Sequence, residues 1–304
     1  MSSIAYATDQ EMMEYHRLCG NRNVNFWRLS SRAGFSDFQH GDLLFFYTSI
    51  GSGKRKKKGF AGYAHYEKTT RLSLKDMWKK YGTANGYDSI DRLKEAIELA
   101  SRSGKVPEKL NCLYLSDCVY FRSPVLPGEV GIEINPKLES FTYLEKDDPG
   151  AAVRILRAAE ERGIDLWASS QNYEPDTVFR LDEIREQLAF LNESAGKEER
   201  TAPELRRARK LAAQYVKEEG FEQIRGSAAD LFKFLEEDIV LVAFPFAAQA
   251  NDRALRVREM LGKMMYYRLS AEQMGLGKDA LRFVVLCEET EEQKDLLHRA
   301  GRYV

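Results

Sequence analysis

The 304 residues are 43% hydrophobic and 31% charged, with 46 Lys and Arg against 47 Asp and Glu, for a net charge of −1. That balance excludes capture of nucleic acid by the field of the whole molecule, so any such binding must come from local patches. The length accommodates two domains with separate cores. No apolar run reaches 18 residues, no cationic-then-apolar leader is present, and Cys19, Cys112, Cys118 and Cys287 form no C-x-x-C pair or metal spacing. These features predict a cytoplasmic protein without membrane span, export signal or structural metal.

Along the chain, "NVNFWRLSS" (23–31), "GDLLFFYTSI" (41–50) and "GFAGYAHYE" (59–67) read as strands from their aromatic and β-branched content. The last two flank "SIGSGKRKKKGF", which makes Lys54, Arg55, Lys56, Lys57 and Lys58 the tip of a hairpin. A Walker loop would need a glycine where Thr48 stands and Ser or Thr where Arg55 stands, so the stretch is no nucleotide cradle. Two readings stay open for it: a solvated tip, or a finger whose mutual repulsion a polyanion would relieve.

Helical spacing follows at 73–82 and at 89–104, where Ile90, Leu93 and Ile97 share a face and Ser89 is available as a cap. "NCLYLSDCVYFRSPVLP" (111–127) returns to strand character, and an α+β domain is expected to close near residue 148.

This first domain, 1–148, resembles the PUA-like superfamily, in particular its EVE and ASCH branches. The likeness lies in "NFWRLS", in "GDLLFFYTS" followed by "GFAGYAHYE", and in "VYFRSPV" with the later "IEINPKLESFTYL". The resemblance implies a pseudo-barrel that binds DNA or RNA and, as in several members, pockets a modified base between aromatic rings. Trp27 and Trp78 are the candidate stacking residues, with Phe46 and Tyr47 behind them; Trp78 sits among Lys75, Lys79 and Lys80. The opposing expectation is packing, because alternate residues of "LLFFY" must face a core.

The stripes of 150–166 and 180–196 predict helices, and 149–200 reads as a helical connector. From 201 to 304 the expected order is helix, short strand, two strands, helix, strand. This resembles the PD-(D/E)XK restriction-endonuclease-like superfamily, an α/β fold in which two carboxylates hold Mg²⁺ against a phosphate while a lysine orients water. Asp230 falls at the first acidic position, but "IVLVAFPF" puts Ala243 and Pro245 where the second acid and the lysine belong. Loss of hydrolysis, with no cofactor, is the reading that follows.

The alternative is an active nuclease with a relocated site of Asp230, Glu259 and Lys263, in which Asp230 would bind Mg²⁺. The plainer account of Glu259 and Lys263 is a surface ion pair four residues apart. A protein-interaction scaffold is a third reading. The pairing of a reader with a nuclease-like module resembles prokaryotic defence proteins, and the apolar "GKMMYY" face could support a homodimer.

Overall fold

A computed structural model describes residues 3–29, 35–51, 57–146, 148–165, 167–168, 175–196, 200–236, 239–247, 253–277 and 280–287. The chain forms two units, 1–183 and 184–304. The stretch expected as a connector is thus divided, and helix α4 (Ala151–Arg162) belongs to the core of the first unit.

In the first unit, β1 (Ile4–Ala7), β2 (Val24–Arg28), β3 (Leu43–Ile50), β4 (Lys57–Leu72), β5 (Leu110–Val125) and β6 (Phe141–Tyr143) form a six-stranded sheet among the described residues. Its order is β2-β5-β4-β3-β1-β6, with β1 parallel to β3 and the other pairs antiparallel. The expected hairpin is present: β3 and β4 pair from Leu43–His65 to Ile50–Lys57.

Strand alternation distributes β3 to two cores. Leu43, Phe45 and Tyr47 pack with Ala151, Ala152, Ile155, Leu156 and Ala159 of α4, whose three alanines let the helix lie close to the sheet. Leu44 and Phe46 pack on the other face with Ile4, Tyr6, Val24 and Phe26. Phe45, Phe46 and Tyr47 are therefore all core residues.

Gly62 is required on β4, since a Cβ there would lie 2.3 Å from the Val119 carbonyl oxygen. Ser73 and Ser89 cap α2 (Leu74–Tyr81) and α3 (Ile90–Ala100), each accepting from a backbone N–H three residues on.

β2 and β6 are opposite ends of the sheet order, yet their side chains meet. Arg28 of β2 lies over the Phe141 ring of β6 and donates to Ser140 Oγ at 3.2 Å just before it, and the Phe26 ring is 5.7 Å from that of Tyr6 on β1. The sheet therefore curls into a barrel whose seam is closed by side chains. Beneath α1 (Gln10–Leu18), His16 is fully buried, and burial pushes its pKa down to about 4.

The unit boundary falls within α5 (Pro175–Ser194). The second unit continues with α6 (Ala202–Glu219), β7 (Glu222–Gln223), β8 (Leu231–Glu236), β9 (Ile239–Phe246), α7 (Arg253–Gln273) and β10 (Leu281–Cys287). The sheet order is β10-β9-β8-β7; β9 and β10 are parallel across α7, and the other pairs are antiparallel. Thr201 and Glu204 start α6 with a reciprocal capping box.

Both faces of β9 are covered, which explains its unbroken apolar sequence. Val240, Val242 and Phe244 pack with Met264, Tyr267 and Ala271 of α7, while Ala243 packs with Ala208 and Ala212 of α6. Pairing with β8 ends at Leu231–Ala243, so Pro245, which has no N–H to give, sits where only β10 remains as a neighbour.

Candidate functional site

The structure brings Trp27 and Trp78 together, but in an apolar cluster with Met77, Leu93, Ile97, Leu110 and Cys112. Trp27 Nε1 is shielded from solvent and finds no acceptor among the described residues. Lys75, Lys79 and Lys80 are exposed beside them, and Lys80 Nζ lies 5.0 Å from the Tyr81 ring, itself stacked on Tyr114. The exposed tryptophan is Trp167, at 70%; its Nε1 donates to the Leu18 carbonyl at 3.3 Å, and its own N–H to Asp165. Its one sequence signal is position: it follows a helix-ending glycine, Gly163, within a polar stretch.

At the barrel seam, the Arg28 guanidinium lies over three rings: Phe35 at 5.2 Å, Phe141 at 5.3 Å and Tyr6 at 5.9 Å. Phe35 packs 4.7 Å from Phe141, and Phe38 packs 4.6 Å from Tyr66. Burial pushes the Tyr6 hydroxyl up to about 12, with the Arg28 charge pulling in the opposite direction. The result is a half-buried aromatic wall holding one delocalised cation, suited to stacking on a planar ring. Sequence reasoning missed it because its members come from five separate segments.

Of the five-cation run, Lys54, Arg55 and Lys56 lie outside the described residues. Lys57 is exposed. Lys58 is half-buried and committed to the fold: Nζ donates to the Leu138 carbonyl at 3.1 Å and sits 5.7 Å from the Tyr47 ring. Both ends of the loop, Gly51 and Lys57, border an open cleft of about 500 Å³, also lined by Ile50, Ser123, Pro124, Leu126, Glu129 and Arg162.

Elsewhere in the first unit, the buried Asp182 carboxylate accepts from the Tyr63 hydroxyl at 2.7 Å and meets His65 Nε2 at 3.0 Å. This ties β4 to α5 by charge-assisted bonds.

In the second unit, Asp230 immediately precedes β8 and is 2% exposed. Its Oδ2 lies 2.5 Å from Lys263 Nζ on α7, and its Oδ1 lies 4.0 Å from Arg200. Lys263 also donates to Asn192 Oδ1 at 3.2 Å and lies against the Phe244 and Tyr267 rings.

Glu259 does not pair with Lys263. Arg256 takes it at 2.8 Å and reaches the buried Glu204 at 3.3 Å. Two of the three residues of the relocated site, Asp230 and Lys263, thus touch, while Glu259 is held by Arg256. The ammonium neutralises Asp230, and Arg256 bridges the other two carboxylates. A cavity of about 20 Å³, close to the size of one water, lies between Arg200, Pro245, Arg256 and Glu259. Within "GKMMYY", Met264 and Tyr267 are core, and Met265 and Tyr266 are exposed.

No protein-family model matches the chain, and no curated protein matches it. Among solved structures, the chain is similar to the ASCH protein of Zymomonas mobilis: 16% identical over 50% of this chain and 94% of that one, with a TM-score of 0.35. Two single-residue variants of that protein are similar at 15% and 16% identity, cover 92% and 89% of their own length, and both have a TM-score of 0.34.

Proposed function

We propose that the chain is a nucleic-acid-binding protein: a PUA-like reader in residues 1–183, followed by a restriction-endonuclease-like module that does not hydrolyse its ligand. The observation that carries the first part is the five-cation run 54–58, which leads into β4 at the tip of the β3–β4 hairpin and concentrates positive charge in a chain of net charge −1. Such a run supplies sequence-independent phosphate contacts. The aromatic wall around Arg28, and the exposed Trp167, are the surfaces on which an unstacked base would rest.

Support for silence in the second unit comes from its donor set. A two-carboxylate Mg²⁺ site needs a second acid beside Asp230, and β9 offers Ala243 and Pro245 there. Asp230 carries an ammonium 2.5 Å away, where a cation would bind. These residues do not fit the metal. The pure protein, incubated with plasmid, single-stranded DNA and RNA in Mg²⁺ or Mn²⁺, is expected to bind them and cut none.

The Lys263–Asp230 contact favours one other reading, because a lysine supplied from α7 reaches the first acid as the relocated nuclease requires. Cleavage that disappears in Asp230→Ala would establish it. Failure of the folded protein to retain any nucleic acid at low salt would leave the scaffold reading.

A further inference from the structure

The cleft at the root of the basic hairpin combines features that the charge run alone does not explain. Its apolar residues, Ile50, Pro124 and Leu126, come from the ends of β3 and β5 and the turn that follows. Its polar residues are Lys57, Ser123, Glu129 and Arg162. At about 500 Å³ it lies within the range of about 300–1,000 Å³ typical of small-ligand sites.

Arg162 donates to the Pro124 carbonyl and, at 2.5 Å, to Glu129 Oε2. The Leu126 N–H donates to the same oxygen at 3.0 Å. Both bonds end on Oε2, so Oε1 keeps its lone pairs. The Arg162 bond and the Leu126 N–H together hold the Glu129 carboxyl below its ordinary range, with a further contribution from the Lys57 charge. Glu129 is therefore an acceptor, and only an acceptor, near neutral pH.

We propose that this cleft takes one unpaired nucleotide of a bound strand, and that it selects bases carrying an exocyclic amino group. The base lies against Ile50, Pro124 and Leu126, as unstacked bases do between apolar side chains. Its amino edge, exposed once pairing is lost, donates to Glu129 Oε1, the contact by which carboxylates read cytosine and its relatives. A flanking phosphate meets Lys57 on the rim. Thymine and uracil carry the O4 carbonyl oxygen where cytosine carries its amino group, so they have no donor at that position.

The inference rests on the nucleic-acid reading, and the test separates the two. Fluorescence anisotropy compares homopolymeric 12-mers of A, C and T as DNA, and of A, C and U as RNA, for the full-length protein and its Glu129→Ala and Leu126→Ala variants. Wild type is expected to bind A and C oligomers about tenfold more tightly than T or U, the worth of one hydrogen bond to a charged acceptor.

Glu129→Ala should bring all bases within about twofold of one another, and Leu126→Ala should weaken every oligomer about fivefold or more, as removal of a base platform does. Thermal melts verify that each variant is folded; where one is not, Glu129→Met, which keeps the side chain's length without an acceptor, replaces Glu129→Ala, and Leu126→Val replaces Leu126→Ala. A preference for A and C that Glu129→Ala abolishes, in either series, supports the site, and the tighter series names DNA or RNA as its source. Equal affinity for all bases in wild type, or a preference that survives removal of the carboxylate, overturns the cleft alone. No binding of any oligomer by folded protein overturns the wider reading with it.

Discussion

Replacing Lys263 with Met should cost the second unit a large part of its stability. The partner, Asp230, is 2% exposed, and the Lys263 side chain is 9% exposed, so both charges of this 2.5 Å pair are withdrawn from water. Without the ammonium, Asp230 has, among the described residues, Arg200 at 4.0 Å as its remaining counter-charge, too long for a hydrogen bond. Breaking a buried pair from one side costs about 3–5 kcal/mol, against about 5–15 kcal/mol for a typical domain. Removing both charges together, in Asp230→Asn with Lys263→Met, should bring stability back to within about 1 kcal/mol of wild type.

The chain supplies its own reference for this measurement, because Trp27, Trp78 and Trp167 all lie in the first unit. In urea, tryptophan emission reports that unit, and far-ultraviolet dichroism reports both. The expected result is a dichroism transition moved to lower urea while the emission midpoint stays in place. A Lys263→Met protein as stable as wild type, or more so, would refute the reasoning. It would indicate charges maintained at the expense of stability for catalysis.

Changing the five cations 54–58 to Ser should flatten the log–log salt dependence of duplex binding by about 0.9 for each phosphate no longer neutralised, equally for all sequences. Lys58 is tied to Leu138, so the change should correspond to the four remaining cations at most. Trp78→Ala should destabilise the fold by about 3 kcal/mol or more, since the ring packs on Met77 and Leu93, whereas Trp167→Ala should leave the melting temperature in place and weaken single-strand binding by about 1–3 kcal/mol. His16 has a folded pKa of about 4 against about 6.5 when unfolded, so the unfolded chain takes up its proton first as pH falls. Stability should therefore be unaffected by this group above pH 6.5 and decline by about 3 kcal/mol between pH 6.5 and 4. Acid titration of a His16→Asn variant should lack that component.

Much of the first unit was legible because its signals are local. Apolar runs on either side of a polar, glycine-flanked loop predict the β3–β4 hairpin, and Ser73 and Ser89 stand where caps are needed. β1 was not legible, as four residues, "IAYA", carry too little pattern to separate a strand from a loop. The aromatic wall was illegible for another reason: Arg28 meets Phe141 across more than a hundred residues, and no spacing rule links them. For Lys263, helical periodicity put Glu259 within reach, but tertiary contacts decided the partners. Arg256 took Glu259, and the buried Asp230 took the lysine.

The placement of β1 also sets an order of events during synthesis. Ile4 pairs with Leu44 on one side and Tyr143 on the other, so the outer edge of the first strand made must wait for the last strand of its sheet. At roughly 5–20 residues per second, the ribosome takes roughly 7–27 s to travel from one to the other. Throughout that interval β1 offers a bare edge, and the rings destined for the seam have no wall to meet. The long-range closure makes this a slow-folding topology. Nascent chains ending before Phe141 should therefore be the species that chaperones retain, and chains released past Tyr143 the first to resist protease.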